Sequence, residues 1–123
     1  MKDIKEYIGS MEQLCGIKSY VFDEGRAKGV KAFDVDNGAG LRFTLIPDRG
    51  MDIYNAVFDN KNVVHMTKAG IADARFYEPA GNGWLRTFGG GLLTTCGFGQ
   101  IGDATEADGD SAPLRWPQAA LQP

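Results

Sequence analysis

Histidine occurs once in the 123 residues, at His65, and cysteine twice, at Cys15 and Cys96. A metal centre built from several histidines is thereby excluded. The two cysteines form no Cys-x-x-Cys pair and are too few for a disulfide framework. No apolar run approaches the length of a membrane-spanning helix. Lysine and arginine nowhere cluster: 13 basic residues face 16 acidic ones, for a net charge of −3. That balance argues against nucleic acid or an anionic membrane as partner. The opening residues, MKDIKEYIGS, carry charge with no apolar run behind them, so neither an export signal nor an anchor is expected. The thiols are then expected to be reduced and the protein cytoplasmic. A chain of this length supports one core rather than two.

What is present is a succession of short, alternating segments. Ile4, Tyr7, Ile8 and Met11 follow helical spacing and predict a short N-terminal helix, which Gly9 and Ser10 cut short. Strands are predicted over Leu14–Asp23, Val30–Asp36, Leu41–Ile46, Met51–Phe58 and Val63–Met66. Turns are predicted at Glu24-Gly25-Arg26, Asn37-Gly38, Pro47-Asp48-Arg49-Gly50 and Asp59-Asn60. No βαβ crossover is discernible, so the expected class is antiparallel all-β, a sandwich or part of one. Residues 67–83 read as a long loop of the kind that is commonly functional. Leu92–Cys96 reads as a buried strand, and residues 103–123, with three prolines and little apolar periodicity, as irregular or disordered.

Candidate chemistry gathers in two places. Arg49 and Asp52 bracket the Pro47–Gly50 turn. A guanidinium there offers fixed donors suited to sugar hydroxyls or a carboxylate, although the residues alone favour pairing with each other or with backbone to hold the turn. Further on, Trp84–Gly102 reads WLRTFGGGLLTTCGFGQIG. On extended backbone Trp84, Arg86 and Phe88 would share one face. They could hold a sugar ring, or Trp84 could fill a corner of the core with Arg86 reaching outward. Gly89-Gly90-Gly91 lacks the spacing and the lysine of a phosphate loop and suits close approach of backbone to a strand or ligand. Thr94, Thr95 and Cys96 suit packing in a sheet. His65, in Val-Val-His-Met, suits a strand at a surface or partner edge, and nothing near it supports a catalytic triad.

The order of these pieces carries a resemblance. Gln13–Ile17, Gly25–Val30, Gly38–Leu41, Pro47–Ile53 and Gly83–Gly97 together resemble the N-terminal part of an aldose 1-epimerase-like family of bacterial proteins, a domain of unknown function within the galactose mutarotase superfamily. The resemblance covers residues 7–102. It implies a large antiparallel β-sandwich with a sugar site on its concave face. It also implies ring opening and closure of an aldose by a general acid and base, usually His and Glu, without a metal or other cofactor. By motif, Arg49 and Asp52 would lie at or behind the pocket, and Trp84, Arg86 and Phe88 would line it.

After the counterpart of Gly102 the family continues into a His-Gly-Arg-Ile-Ser motif. Here the chain reads Asp103-Ala104-Thr105-Glu106-Ala107-Asp108-Gly109 and then a polar, alanine-containing tail. Sandwiches of this complexity usually take roughly 200–250 residues. The expectation is therefore a partial sandwich over residues 1–102, with residues 103–123 a tail that is frameshifted after about Gly109. The expected catalytic His and Glu are missing and mutarotase activity is expected to be negligible. Two alternatives accompany this reading: a sugar-binding module without catalysis, and a fragment that self-associates through unpaired strand edges.

Overall fold

The computed structural model describes residues 3–93 and, as backbone, residues 105–107 and 110–112. Its main element is a five-stranded antiparallel meander with the strands in sequence order: β1 (Gly16–Val21), β2 (Lys31–Asp36), β3 (Leu41–Ile46), β4 (Asp52–Phe58) and β5 (Lys61–Asn62). Short loops force this order, because a few residues can only return the chain to the neighbouring position. Asn37 fixes the second connection by accepting hydrogen bonds from Ala39 N and Leu41 N at 2.8 and 3.0 Å. Asp59 and Asn60, both left-handed (φ 47° and 62°), form the tight β4–β5 turn. The antiparallel all-β class is as the alternation predicts.

Four elements differ from expectation or extend it. The N-terminal helix is present only as single 3₁₀ turns at Ile4–Tyr7 and Met11–Gln13, and Ile4, Tyr7 and Met11 are exposed. With Gly9 and Ser10 between them, neither turn can extend its apolar stripe onto the sheet. The Val63–Met66 strand contracts to β6 (His65–Met66), which pairs with β7 (Gly90–Gly91). Within residues 103–123, β8 (Thr105–Ala107) and β9 (Asp110–Ala112) pair antiparallel. The rest of that segment lies outside the described residues, as do Thr94, Thr95 and Cys96 of the predicted Leu92–Cys96 strand. Leu92 and Leu93 themselves are each 53% exposed, against the burial expected of them.

The meander has two unlike faces. Directly opposed residues share a face, so the pairs Lys18↔Asp34, Tyr20↔Ala32, Asp34↔Thr44, Asp36↔Arg42 and Thr44↔Asn55 define one of them. Ile17, Val21, Phe33, Val35, Phe43 and Leu45 alternate with these and define the other. That second face is apolar, with Ile17, Val21 and Phe58 exposed. Between Thr44 and Leu45 the β3–β4 register shifts by one residue, so that Asn55 opposes Thr44 while Ile53 opposes Leu45. Tyr54 is the extra residue of this bulge.

The core lies on the first face, at the end where β2 and β4 begin. Val30, Ala32 and Ile46 are buried there, with Tyr20, Phe22, Tyr54 and Ile71 packed around them. Ile71 and the buried Ala72 come from the loop after β6, which folds back over this end. Ile46 is the one large side chain among the described residues that is completely enclosed. No described helix is long and apolar enough to cross a membrane.

Candidate functional site

The turn after β3 sets up the first candidate region. Pro47 starts a 3₁₀ turn with its φ already suitable, and Gly50 ends it in the left-handed region at φ 69°. Met51 follows at φ 66°, an uncommon conformation for a residue with a side chain. This sharp reversal delivers Asp52 to β4 facing inward, 4% exposed, with the Arg49 guanidinium 3.6 Å away. Arg49 Nη1 donates to the Thr87 carbonyl at 2.6 Å. The favoured sequence reading, in which Arg49 pairs with Asp52 and with backbone, describes what the chain does, but the backbone belongs to a segment 38 residues away.

That segment is not extended. Gly83–Thr87 is a 3₁₀ turn, and Phe88 returns to extended conformation. The face shared by Trp84, Arg86 and Phe88 under period-two alternation therefore does not form. Trp84 instead meets Phe88 edge-to-face at 5.5 Å and 68°, and the Thr87 hydroxyl donates to the Trp84 carbonyl at 3.2 Å. Arg86 turns outward and holds both carboxylate oxygens of Glu78, at 2.7 and 2.8 Å. Arg49, Asp52, Trp84 and Phe88 thus meet at one joint, and Arg86 stands at its rim.

Backbone groups dominate this joint. Three successive carbonyls at the end of the 3₁₀ turn each accept from a side chain elsewhere in the chain: Arg86 from Arg26 at 2.8 Å, Thr87 from Arg49, and Phe88 from the Thr67 hydroxyl. Carbonyls at a helix end have no partner within the helix and need one from outside. Arg26 and Thr67 escape sequence reasoning because nothing local marks them. The only trace is that Arg26 sits in the motif that carries the family resemblance.

The glycine run completes the joint. A Cβ on Gly91 would lie 2.4 Å from the Ile53 carbonyl oxygen, and one on Gly89 would lie 2.8 Å from the Gly70 oxygen and 3.1 Å from the Tyr54 ring. Leu92 N donates to the Ile53 carbonyl, and Ile53 N donates to the Leu93 carbonyl, each at 2.9 Å. Close approach to a neighbouring strand is therefore what these glycines serve in the structure. His65, in the edge strand β6, is exposed and pairs with Gly91 through backbone.

The second region is a groove at the opposite end of the polar face, with a volume of about 420 Å³. Its floor is two rows read across the strands. One row is Lys18, Asp34, Thr44 and Asn55, and the next is Gly16, Asp36, Arg42 and Val57. The 3₁₀ turn Met11–Gln13 closes one side and brings Glu12 and Cys15 to the wall. A capping box locks that turn: Ser10 Oγ accepts from Glu12 N, while Gln13 Oε1 accepts from Gly9 N and Ser10 N.

Asp34 is the hub of the groove. One of its oxygens accepts from the Tyr20 hydroxyl at 3.0 Å and from the Thr44 hydroxyl at 2.7 Å. Burial, and then the hydrogen bond and charge of Asp34, push the Tyr20 phenol above its ordinary value, with the Thr44 hydroxyl pulling slightly the other way. Arg42 donates to Asn60 Oδ1 at 3.3 Å, and Asp36 accepts from Gly38 N at 2.8 Å. Donors and acceptors alternate across a floor that stays open to water. Such a lining suits a neutral ligand with many hydroxyls better than a strongly charged one. None of these positions stands out in the sequence, because alternate polar residues on a strand read as an ordinary solvated face.

Among the described residues no group of three or more His, Cys, Asp or Glu side chains could hold a metal ion. No curated protein and no solved structure matches the chain. One family profile does match, over residues 27–116. It begins later than the expected resemblance and runs on past both Gly102 and Gly109. With most of its length matched in this way, the chain belongs to the family described as Domain of unknown function (DUF4432).

Proposed function

We propose that this chain is a carbohydrate-binding protein of the aldose 1-epimerase-like kind, with a sandwich of the galactose mutarotase type, and that it seats an aldose in the groove over β1–β4. The observation that carries this reading is the floor itself. Lys18, Asp34, Asp36, Arg42, Thr44 and Asn55 present alternating donors and acceptors in a space of about 420 Å³, within the range of small-molecule sites. A pyranose offers the complementary pattern, since each hydroxyl both donates and accepts.

Catalysis by this chain is not part of the proposal. Its single histidine, His65, is not among the residues lining the groove, so an acid and a base within reach of a sugar there would have to come from Glu12, Lys18, Asp34 or Asp36. The Arg49–Trp84 joint is the second place where a sugar could stack, favoured by the half-buried Trp84 ring beside Phe88.

Titration of the chain with a panel of aldoses, followed by amide chemical shifts, tests both. Groove binding predicts shifts concentrated in Lys18, Asp34, Thr44 and Asn55, abolished by the double variant Asp34→Ala/Asn55→Ala and retained in Trp84→Phe. Shifts confined to Trp84–Phe88 would move the site to the joint. An unmoved spectrum with every sugar would end the carbohydrate reading. Clear acceleration of anomerisation by the purified chain would overturn the non-catalytic one.

A further inference from the structure

Strand β1 ends the meander, and among the described residues nothing pairs with its outer edge. Just beyond the strand, Phe22 N donates to the Val30 carbonyl at 3.0 Å. Bonding residues alternate along an antiparallel ladder, so the even-numbered residues of β1 bond to β2. Ile17, Ser19 and Val21 therefore aim their N–H and C=O groups away from the sheet, and no described residue pairs with them. Edge strands are usually blunted by proline, a bulge, an inward charge or a covering element. β1 contains no proline, its register with β2 is unbroken over six residues, and no described residue covers its edge; its one charge, Lys18, lies on the groove side, leaving the other side of the edge apolar. Ile17 and Val21, on the apolar side, are 69% and 56% exposed.

We propose that β1 pairs antiparallel with β1 of a second copy of this chain, about a twofold axis through Ser19. Side-chain identity selects the partner and the register. A twofold normal to the sheet keeps each face continuous, so odd residues must oppose odd ones. Centring on Ser19 sets Ile17 against Val21 of the other copy and Lys18 against Tyr20. Shifting the axis to Lys18 would oppose two ammonium groups and leave Ile17 against Ser19, an unfavourable exchange on both faces. The Ser19-centred register thus covers the two most exposed apolar side chains of the strand with each other. It requires no sugar and uses no groove residue on the axis.

Sedimentation equilibrium of the full chain tests the pairing, with a dimer expected at high concentration. Ser19→Pro removes one outward N–H per copy without touching the β2 ladder, since proline is tolerated at an edge position of this kind. Loss of two hydrogen bonds per dimer should weaken association about 30-fold. Circular dichroism checks that the variant is folded. If it is not, cysteine cross-linking decides instead. In a Cys15→Ser/Cys96→Ser background, Ser19→Cys should form a disulfide-linked dimer under mild oxidation, while Lys18→Cys should not, because only residues opposite one another on the axis come within disulfide range. A chain that stays monomeric at every concentration overturns the proposal. So does a folded Ser19→Pro that associates as well as the parent, or Lys18→Cys cross-linking as readily as Ser19→Cys.

Discussion

At one end of the polar face, Val30, Ala32 and Ile46 are shut beneath Tyr54 and Ile71. At the other, Lys18, Asp34, Asp36, Arg42, Thr44 and Asn55 stand open to solvent. Both ends use the same strands and the same alternation. They differ in what crosses them. The loop after β6 returns over the closed end and is pinned by side chains: Arg26, Arg49 and Thr67 hold the carbonyls of Arg86, Thr87 and Phe88. Among the described residues, the open end is met only at its margin, by the capped turn that carries Glu12. Polar residues consequently do opposite work in the two places. At the closed end they are consumed in holding backbone. At the open end most of their hydrogen-bonding capacity is met by no described residue.

The sharpest way to break the closed end is at Gly91. Alanine there would drive its Cβ into the Ile53 carbonyl at a φ of 139°. A loss of about 3 kcal/mol in urea unfolding is expected from strain and displaced packing. Gly81, also left-handed but with nothing within 4 Å of its absent side chain, is the control. Its alanine variant should lose only about 1 kcal/mol from conformation alone.

Arg49→Ala comes next. It removes the donor beneath Thr87 and takes a cation away from the buried Asp52. Because the Arg49 side chain keeps 29% of its exposure, the full penalty for a broken buried pair is reduced by solvent, and about 2 kcal/mol is expected. The matching change at the open end, Asp34→Ala, should cost about 0.5 kcal/mol at most. Equal losses at Arg49 and Asp34, measured by the same denaturant titration, would erase the distinction between the two ends.

Tyr20 spans the boundary and gives the smallest signal. Its ring packs against Phe22 at 5.4 Å, while its hydroxyl reaches Asp34 in the groove. Its folded pKa is raised above the ordinary 10.0, chiefly by burial. The neutral phenol is therefore the form the fold prefers. Its contribution to stability is complete below the ordinary value and is lost as pH rises through the elevated one. Tyrosinate absorbance should show a late-titrating component that Tyr20→Phe diminishes. Tyr54, also raised by burial, should supply the remainder. A Tyr20→Phe curve that overlays the parent would detach Tyr20 from this boundary.

Strands β1 to β3 were legible because each is short, alternates cleanly and ends in turn chemistry. Leu41–Ile46 has the bounds that alternation predicts, and Asn37-Gly38 and Asp59-Asn60 turn where their side chains and backbone freedom permit. The conformation of Trp84–Phe88 was not legible. Alternation there suggested an extended segment, whereas a 3₁₀ turn is held by donors from residues 26, 49 and 67. Information that distant is absent from any local window. The groove was hidden for a related reason. Asp34, Thr44 and Asn55 are single polar residues on three strands, and only the register aligns them in a row.

The one-residue shift between Thr44 and Leu45 acts as a change of phase in β4. Past the shift, Asn55 and Val57 look into the groove. Before it, Asp52 looks into the closed end and Ile53 joins the apolar face. If all seven residues of β4 alternated strictly, with no bulge to absorb Tyr54, Ile53 would fall on the polar face and Asp52 on the apolar one. The bulge thus absorbs Tyr54 and keeps Asp52 and Asn55 on the same face of one continuous strand. What the extra position supplies is a side chain: removing Tyr54 would leave Asp52 opposite Ile46 and Ile53 opposite Leu45 in an unbroken register, and would take away the ring that packs on Ile46 and its neighbours.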